Sequence, residues 1–166
     1  FCDAIINHFE ELHSNNNTID SIISTQGIVN KKIRNSKTSL ICNKNYISIL
    51  ENKLKEGFKS YLIFLKKYNI DFDYINNLKL KIIHTDFNIT KYINNDGFYL
   101  EHSDFNGISR LITFLWYLND VNEGGETEFI DGTKIKSETG KLIFFPATWP
   151  YIHKGNMPIS NNKYII

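Results

Sequence analysis

A chain of 166 residues is long enough to bury one good core and matches the size of a single domain. Nineteen Lys and Arg stand against eighteen Asp and Glu, a formal net charge of +1 that offers no basic stripe to nucleic acid and no acidic tail to a basic partner. Twelve Phe and nine Tyr argue for a packed globule and against disorder. No apolar run approaches the ~20 residues of a membrane span.

Residues 2–13 place Ile5, Ile6, Phe9 and Leu12 at helical spacing with Asp3, Asn7 and Glu10 opposite, which predicts a short amphipathic helix. This start carries acidic residues and no basic segment, so it does not read as a signal peptide, and the composition is of cytoplasmic type. Cys2 and Cys42 are accordingly expected as reduced thiols. Residues 14–45, rich in Ser, Asn, Thr and Lys with little periodicity, are expected to be irregular, a loop near the mouth of a site. From Asn45 to Asn69 the positions Tyr46, Ile49, Leu50, Leu54, Phe58, Tyr61, Leu62, Leu65 and Tyr68 recur every three or four residues and predict the strongest helix of the chain, with Lys and Glu on its solvated face.

Beyond Asp71 the pattern changes to strands. Leu78–Tyr92 is rich in β-branched and aromatic residues, and Asn94, Asn95, Asp96 and Gly97 supply turn chemistry. Further strands are expected at 98–104, 108–118, 127–130, 134–136, 141–145, 151–154 and 163–166, separated by Gly-containing turns. The strand 108–118 is apolar at both parities and should be buried on both faces. Neither an internal repeat nor a domain linker is visible.

Chemistry concentrates between Tyr92 and Lys163. In a strand, residues two apart project from one face, so His102 and Asp104 can offer an imidazole and a carboxylate to one point. His153 would complete a set of two histidines and one carboxylate that leaves coordination positions open and suits non-haem Fe(II). A His-x-Asp triplet alone is weak evidence, because His84 and Asp86 form another one.

The order of blocks resembles a family. Tyr92, the His102-Ser103-Asp104 triplet, Arg110 to Thr113, the run Tyr117–Phe129 (YLNDVNEGGETEF), the strand GKLIFFP, His153 and Lys163-Tyr164 look like the catalytic domain of prolyl 4-hydroxylase-type, 2-oxoglutarate-dependent Fe(II) dioxygenases. The resemblance covers the stretch from Ile82 onwards and implies an α+β, mainly β, fold. Its core would be a double-stranded β-helix of jelly-roll, cupin-like type over 78–166, buttressed by the helical and irregular part at 1–77, the whole 1–166 forming one domain. It selects His102, Asp104 and His153 as metal ligands and leaves His84 as a structural strand histidine. It assigns Lys163 and Tyr92 to the distal carboxylate of 2-oxoglutarate, and Thr113 is a candidate for the lining of that pocket, with plain strand packing as the alternative. Fe(II), 2-oxoglutarate and O2 are the implied cofactor and cosubstrates, and ascorbate is admitted as an auxiliary reductant. No further catalytic side chain is needed.

The implied reaction is hydroxylation, of a prolyl residue in a peptide or protein by the resemblance, with release of succinate and carbon dioxide. A free amino acid, another side chain or a small metabolite stays open as substrate, as does a catalytically silent β-barrel binding module. Nucleic acid and membrane are not expected as partners.

Overall fold

The computed structural model describes residues 1–23, 27–70, 84–105 and 110–166, which carry two helices and eleven short strands. The chain separates into two compact units, residues 1–40 with 88–166 and residues 41–87.

The first unit is mostly β and antiparallel. Helix α1 (Cys2–Ser14) precedes β1 (Ile19–Asp20), β2 (Arg34–Asn35) and β3 (Lys37–Leu40). After the second unit come β4 (Asn88–Tyr92), β5 (Phe98–His102), β6 (Ile112–Trp116), β7 (Thr127–Phe129), β8 (Lys134–Ile135), β9 (Leu142–Pro146), β10 (His153–Gly155) and β11 (Lys163–Ile165). They assemble as a four-stranded sheet in the order β1-β3-β4-β11, a five-stranded sheet in the order β2-β5-β10-β7-β8, and a ribbon of β6 with β9. The ribbon joins the first sheet where Trp116 and Ile166 exchange backbone hydrogen bonds of 2.9 Å in both directions.

Strand parity sorts the β4 and β11 side chains. Lys163 pairs with Tyr92 and Tyr164 with Lys91, so Lys163 and Tyr92 face one side while Tyr164 and Lys91 face the other. The second side meets α1: Glu10 accepts from Lys91 Nζ and Tyr164 Oη, each at 2.9 Å, and Phe9 packs edge-on against the Tyr164 ring. Burial of Ile5 and Phe9 bears out the expected amphipathic helix.

Two glycines are required by close approach. A Cβ on Gly97 would meet Ile93 N at 2.6 Å and Tyr92 Cα at 2.7 Å, so the turn between β4 and β5 folds directly onto the residue that precedes it. Gly124 (φ +70°) lies against the Met157 carbonyl and bridges to Pro158, which explains the Gly-Gly pair ahead of β7.

Residues 14–45 are not irregular throughout, because β1, β2 and β3 lie within them. These pieces are two to four residues long and mostly polar, and it is pairing, β1 with β3, β3 with β4 and β2 with β5, that makes them strands, which local periodicity cannot report. The expected strand 78–92 is seen only as Asn88–Tyr92, residues 78–83 lying outside those described. The expected strand at 151–154 begins instead as a 3-10 turn, Trp149–Tyr151, with Pro150 at its start, and β10 follows. Within β6 only Trp116 is buried, and residues 112–115 are half-buried.

In the second unit, helix α2 (Lys44–Lys66) fulfils the long-helix expectation, capped by the Asn43 side chain, which accepts from Asn45 N and Tyr46 N. Leu50 and Leu54 are its buried positions, whereas Ile49 is exposed. Cys2 and Cys42 form no disulfide. Among the described residues no helix is long and apolar enough to cross a membrane.

Candidate active site

The antiparallel pairing of β5 and β10 sets His102 directly opposite His153, and this register joins residues far apart in the chain. Asp104, just past the end of β5, completes the group: its Oδ1 lies 3.6 Å from His102 Nε2 and its Oδ2 3.7 Å from His153 Nε2. The three donor atoms all lie within 4.8 Å of one another, the one such cluster of three or more among the described residues.

Each imidazole is held the same way. His102 Nδ1 lies 2.8 Å from the Leu100 carbonyl and His153 Nδ1 3.0 Å from the Tyr151 carbonyl. A carbonyl only accepts, so in both rings Nδ1 carries the hydrogen and the Nε2 lone pair is turned to the shared centre. Burial, and after it the neighbouring His153, pushes the His102 pKa down to about 4, which keeps that ring neutral and able to donate its lone pair at neutral pH. Thr113 Oγ1 donates to Asp104 Oδ2 at 2.7 Å, and the Arg110 guanidinium lies 3.9 Å from Oδ1, so the carboxylate is fixed from the β6 side. Phe145 of β9 and Phe129 of β7 pack against His153, with ring centroids 4.9 and 5.7 Å away, and give the cluster an apolar wall. Two imidazoles with Nε2 turned inward and a carboxylate, all aimed at one point, fit a divalent first-row metal such as Fe(II).

Lys163 forms the second half of the site. Its residue is 2 % exposed, and Nζ sits over the rings of Tyr92 and Tyr117, 5.7 and 5.3 Å from their centroids. Among the described residues no oxygen accepts a hydrogen bond from this ammonium. Burial pushes its pKa down to about 7, with distant Glu126 acting the other way. Tyr117, which sequence reasoning passed over, joins the two sheets: its ring faces Lys163 of the first, and its hydroxyl donates to Thr127 Oγ1 of the second at 2.7 Å. Thr127 pairs with Gly155, two residues from His153. Its place in an apolar strand with double-sided character was the available signal.

The structure thus brings His102, Asp104, His153 and Thr113 together and sets Tyr92 beside Lys163. Tyr92 contributes its ring to the lysine, and Thr113 is engaged with Asp104. His84 goes elsewhere: in the second unit its Nδ1 meets the Thr85 carbonyl at 2.7 Å and its Nε2 lies 3.5 Å from Glu51.

Residues 87–166 match the family described as the 2OG-Fe(II) oxygenase superfamily. The chain carries a prolyl 4-hydroxylase-like 2OG-Fe(II) oxygenase domain. No curated protein sequence matches it. Among solved structures, the viral collagen prolyl hydroxylase vCPH of Paramecium bursaria Chlorella virus-1, in complex with 2OG, is 25% identical. That alignment covers 99% of this chain and 85% of the viral one at a TM-score of 0.64. A prolyl-4-hydroxylase of Pseudomonas putida shares the fold at 16% identity and a TM-score of 0.65, over 99% of this chain and 82% of its own. The prolyl hydroxylase of Trichoplax adhaerens, solved with a hypoxia inducible factor peptide fragment, does so at 15% identity and a TM-score of 0.74, over 99% and 74%. The oxygenase is a 2-oxoglutarate-dependent Fe(II) dioxygenase, and the clustered donor set and the buried lysine fit Fe(II) and 2-oxoglutarate.

Proposed function

We propose that the oxygenase hydroxylates a prolyl residue in a peptide or protein and converts 2-oxoglutarate to succinate and carbon dioxide, on a double-stranded β-helix scaffold. The observation that carries the reading is the pairing of a three-donor cluster with a buried lysine that lacks an acceptor among the described residues. A metal site alone would serve many reactions, and a buried cation alone would only destabilise the fold. A dicarboxylate such as 2-oxoglutarate answers both.

His102, Asp104 and His153 would hold the metal, each imidazole offering Nε2 and the aspartate a carboxylate oxygen. Bound there, iron supplies the activation of O2 and the oxidation of 2-oxoglutarate and of a substrate C–H bond. Lys163 binds the distal carboxylate by a charge-assisted hydrogen bond, and Tyr92 orients the same end from the neighbouring strand. Thr113 lines the pocket while keeping Asp104 in place. Tyr117, Phe129 and Phe145 exclude water. None of these side chains has to move a proton.

A macromolecular substrate is favoured over a free metabolite by the apolar rim beside the cluster. Trp149 is 76% exposed, Leu111 54%, Phe105 53% and Tyr151 40%. Ser103 Oγ donates to the Ala147 carbonyl, and Ala147 N donates to the Leu111 carbonyl, so these segments are tied together around the ligand-bearing loop. Exposed apolar surface of this kind is expected where another chain docks. The neighbours that are prolyl hydroxylases, one holding a peptide, support the same class.

Anaerobic addition of Fe(II) and 2-oxoglutarate should produce a visible metal-to-ligand charge-transfer band. With air and proline-containing peptides, succinate release should accompany a peptide mass gain of one oxygen. Absence of the band would end the dioxygenase assignment of these residues. A band and succinate without peptide oxidation would move the substrate to another class.

A further inference from the structure

Resting on the metal-ligand assignment above, we propose that Arg34 is a positioning residue for the metal centre. Stacked on Tyr99, it holds the ring that fixes the plane of His102.

The argument begins with a register irregularity. Between β5 and β10, His102 pairs with His153 but Tyr99 pairs with Gly155, so three steps on β5 answer two on β10. In a regular strand, residues three apart point to opposite faces. An extra residue of this kind re-aims the chain and lets Tyr99 and His102 turn to the same side. Their rings stack with centroids 3.5 Å apart and planes 16° from parallel. His153 lies against His102 as well, at 4.3 Å and 55°. The Leu100 carbonyl fixes which nitrogen of His102 faces the metal, and the Tyr99 ring fixes the plane in which its lone pair points.

Tyr99 is in turn held by a residue from the segment expected to be irregular. Arg34 pairs with Tyr99 across β2 and β5, and its guanidinium carbon lies 4.7 Å from the Tyr99 ring centroid. Arg34 is itself anchored: Nη1 donates to the Ile22 carbonyl at 3.0 Å and Nε to Ser36 Oγ at 3.2 Å. The Ser36 hydroxyl donates onward to Ser21 Oγ at 2.8 Å, in a buried contact. The guanidinium is therefore a fixed planar cation against an aromatic face, an arrangement that Arg serves better than Lys. It is no member of the ligand cluster and reaches His102 by contact through the Tyr99 ring, its charge acting on that imidazole at longer range.

The test is anaerobic Fe(II) titration of the full chain in 2-oxoglutarate, read by the charge-transfer band, with circular dichroism to confirm folding. Arg34→Ala and Tyr99→Leu should each raise the Fe(II) half-saturation roughly tenfold, the scale of lost outer-shell support, and shift or broaden the band. Arg34→Lys and Tyr99→Phe, which keep a cation and a ring, should lie within about threefold of wild type. The double variant Arg34→Ala with Tyr99→Leu should be no worse than Tyr99→Leu, since both remove one stack. If Arg34→Ala does not fold, Arg34→Gln replaces it, keeping a polar chain without the charge. The inference is overturned if the folded variants bind Fe(II) like wild type, if the two losses multiply, or if Arg34→Lys is as poor as Arg34→Ala. A wild type without a band sinks the ligand assignment and this inference with it, whereas a wild-type band with unaltered variants sinks this inference alone.

Discussion

His84 and Asp86 stand two residues apart, as do His102 and Asp104, yet the surroundings of the two histidines differ. His84 stacks on Phe87, 4.9 Å between ring centroids, gives Nδ1 to the Thr85 carbonyl and turns Nε2 towards the Glu51 carboxylate. His102 also gives Nδ1 to a carbonyl, but its Nε2 meets an aspartate and, across the sheet, a second histidine with the same tautomer. The difference teaches that spacing within one segment supplies at most two ligands. The third comes from strand register, and register is a property of the fold.

The largest contrast should come from removing ligands. His102→Ala, Asp104→Ala and His153→Ala should each abolish the charge-transfer band and lower succinate production by more than about a hundredfold, beyond the cost of losing outer-shell support. His84→Ala should leave both intact, and a band that vanished in His84→Ala would invert the assignment.

The lysine end sharpens the comparison next. Lys163→Met removes a charge-assisted hydrogen bond of about 1.5–3 kcal/mol, which should raise the 2-oxoglutarate requirement by about one to two decades. The unliganded variant should melt higher than wild type, because a buried cation is replaced by an apolar chain of similar length. Unchanged cosubstrate affinity would remove Lys163 from the site.

The same lysine predicts a pH dependence. Its folded pKa is about 7 against an ordinary 10.5, so between these values the unfolded chain binds more protons, and the stability of the unliganded protein should rise with pH. Cosubstrate binding runs the opposite way, because a dicarboxylate prefers the protonated ammonium. Affinity should fall by up to about tenfold per pH unit above 7, with proton uptake. Calorimetry in buffers of different ionisation enthalpy checks it, and a flat profile from pH 7 to 9 would contradict it.

Smaller effects test the supports. Thr113→Val deletes the 2.7 Å bond to Asp104 and should weaken Fe(II) binding by about three- to tenfold, as loss of about 1 kcal/mol implies. His84→Ala should cost less than about 1 kcal/mol in chemical denaturation, the scale of a partly exposed contact.

Much of the site was legible because its parts are chemically specific. His102, Asp104, His153 and Lys163 are residue types that gain little from sitting in a core unless something is bound, and their blocks fall in a recognisable order. The helices were legible from apolar period, α1 from Ile5 and Phe9 and α2 from Leu50 and Leu54. What escaped was made by pairing rather than by pattern. Lys37-Thr38-Ser39-Leu40 has no apolar alternation and becomes a strand by lying beside Asn88–Tyr92. Tyr117 and Tyr99 looked like two tyrosines among nine. Only the fold shows one beneath the lysine and the other against the ligand. Thr113 was expected at the lining of the cosubstrate pocket or in plain strand packing, and its hydroxyl bond to Asp104 is an interaction that no linear spacing announces.

The Glu10 carboxylate receives hydrogen bonds from Lys91 and from Tyr164, the latter 154 positions away along the chain. The lysine pocket is therefore walled by strands whose outer faces are clasped by α1, through contacts of very long sequence separation. Contacts of such long sequence separation form slowly and close last. A chain in which β5 and β10 have paired but α1 has not yet docked could therefore meet a metal ion before it could meet 2-oxoglutarate.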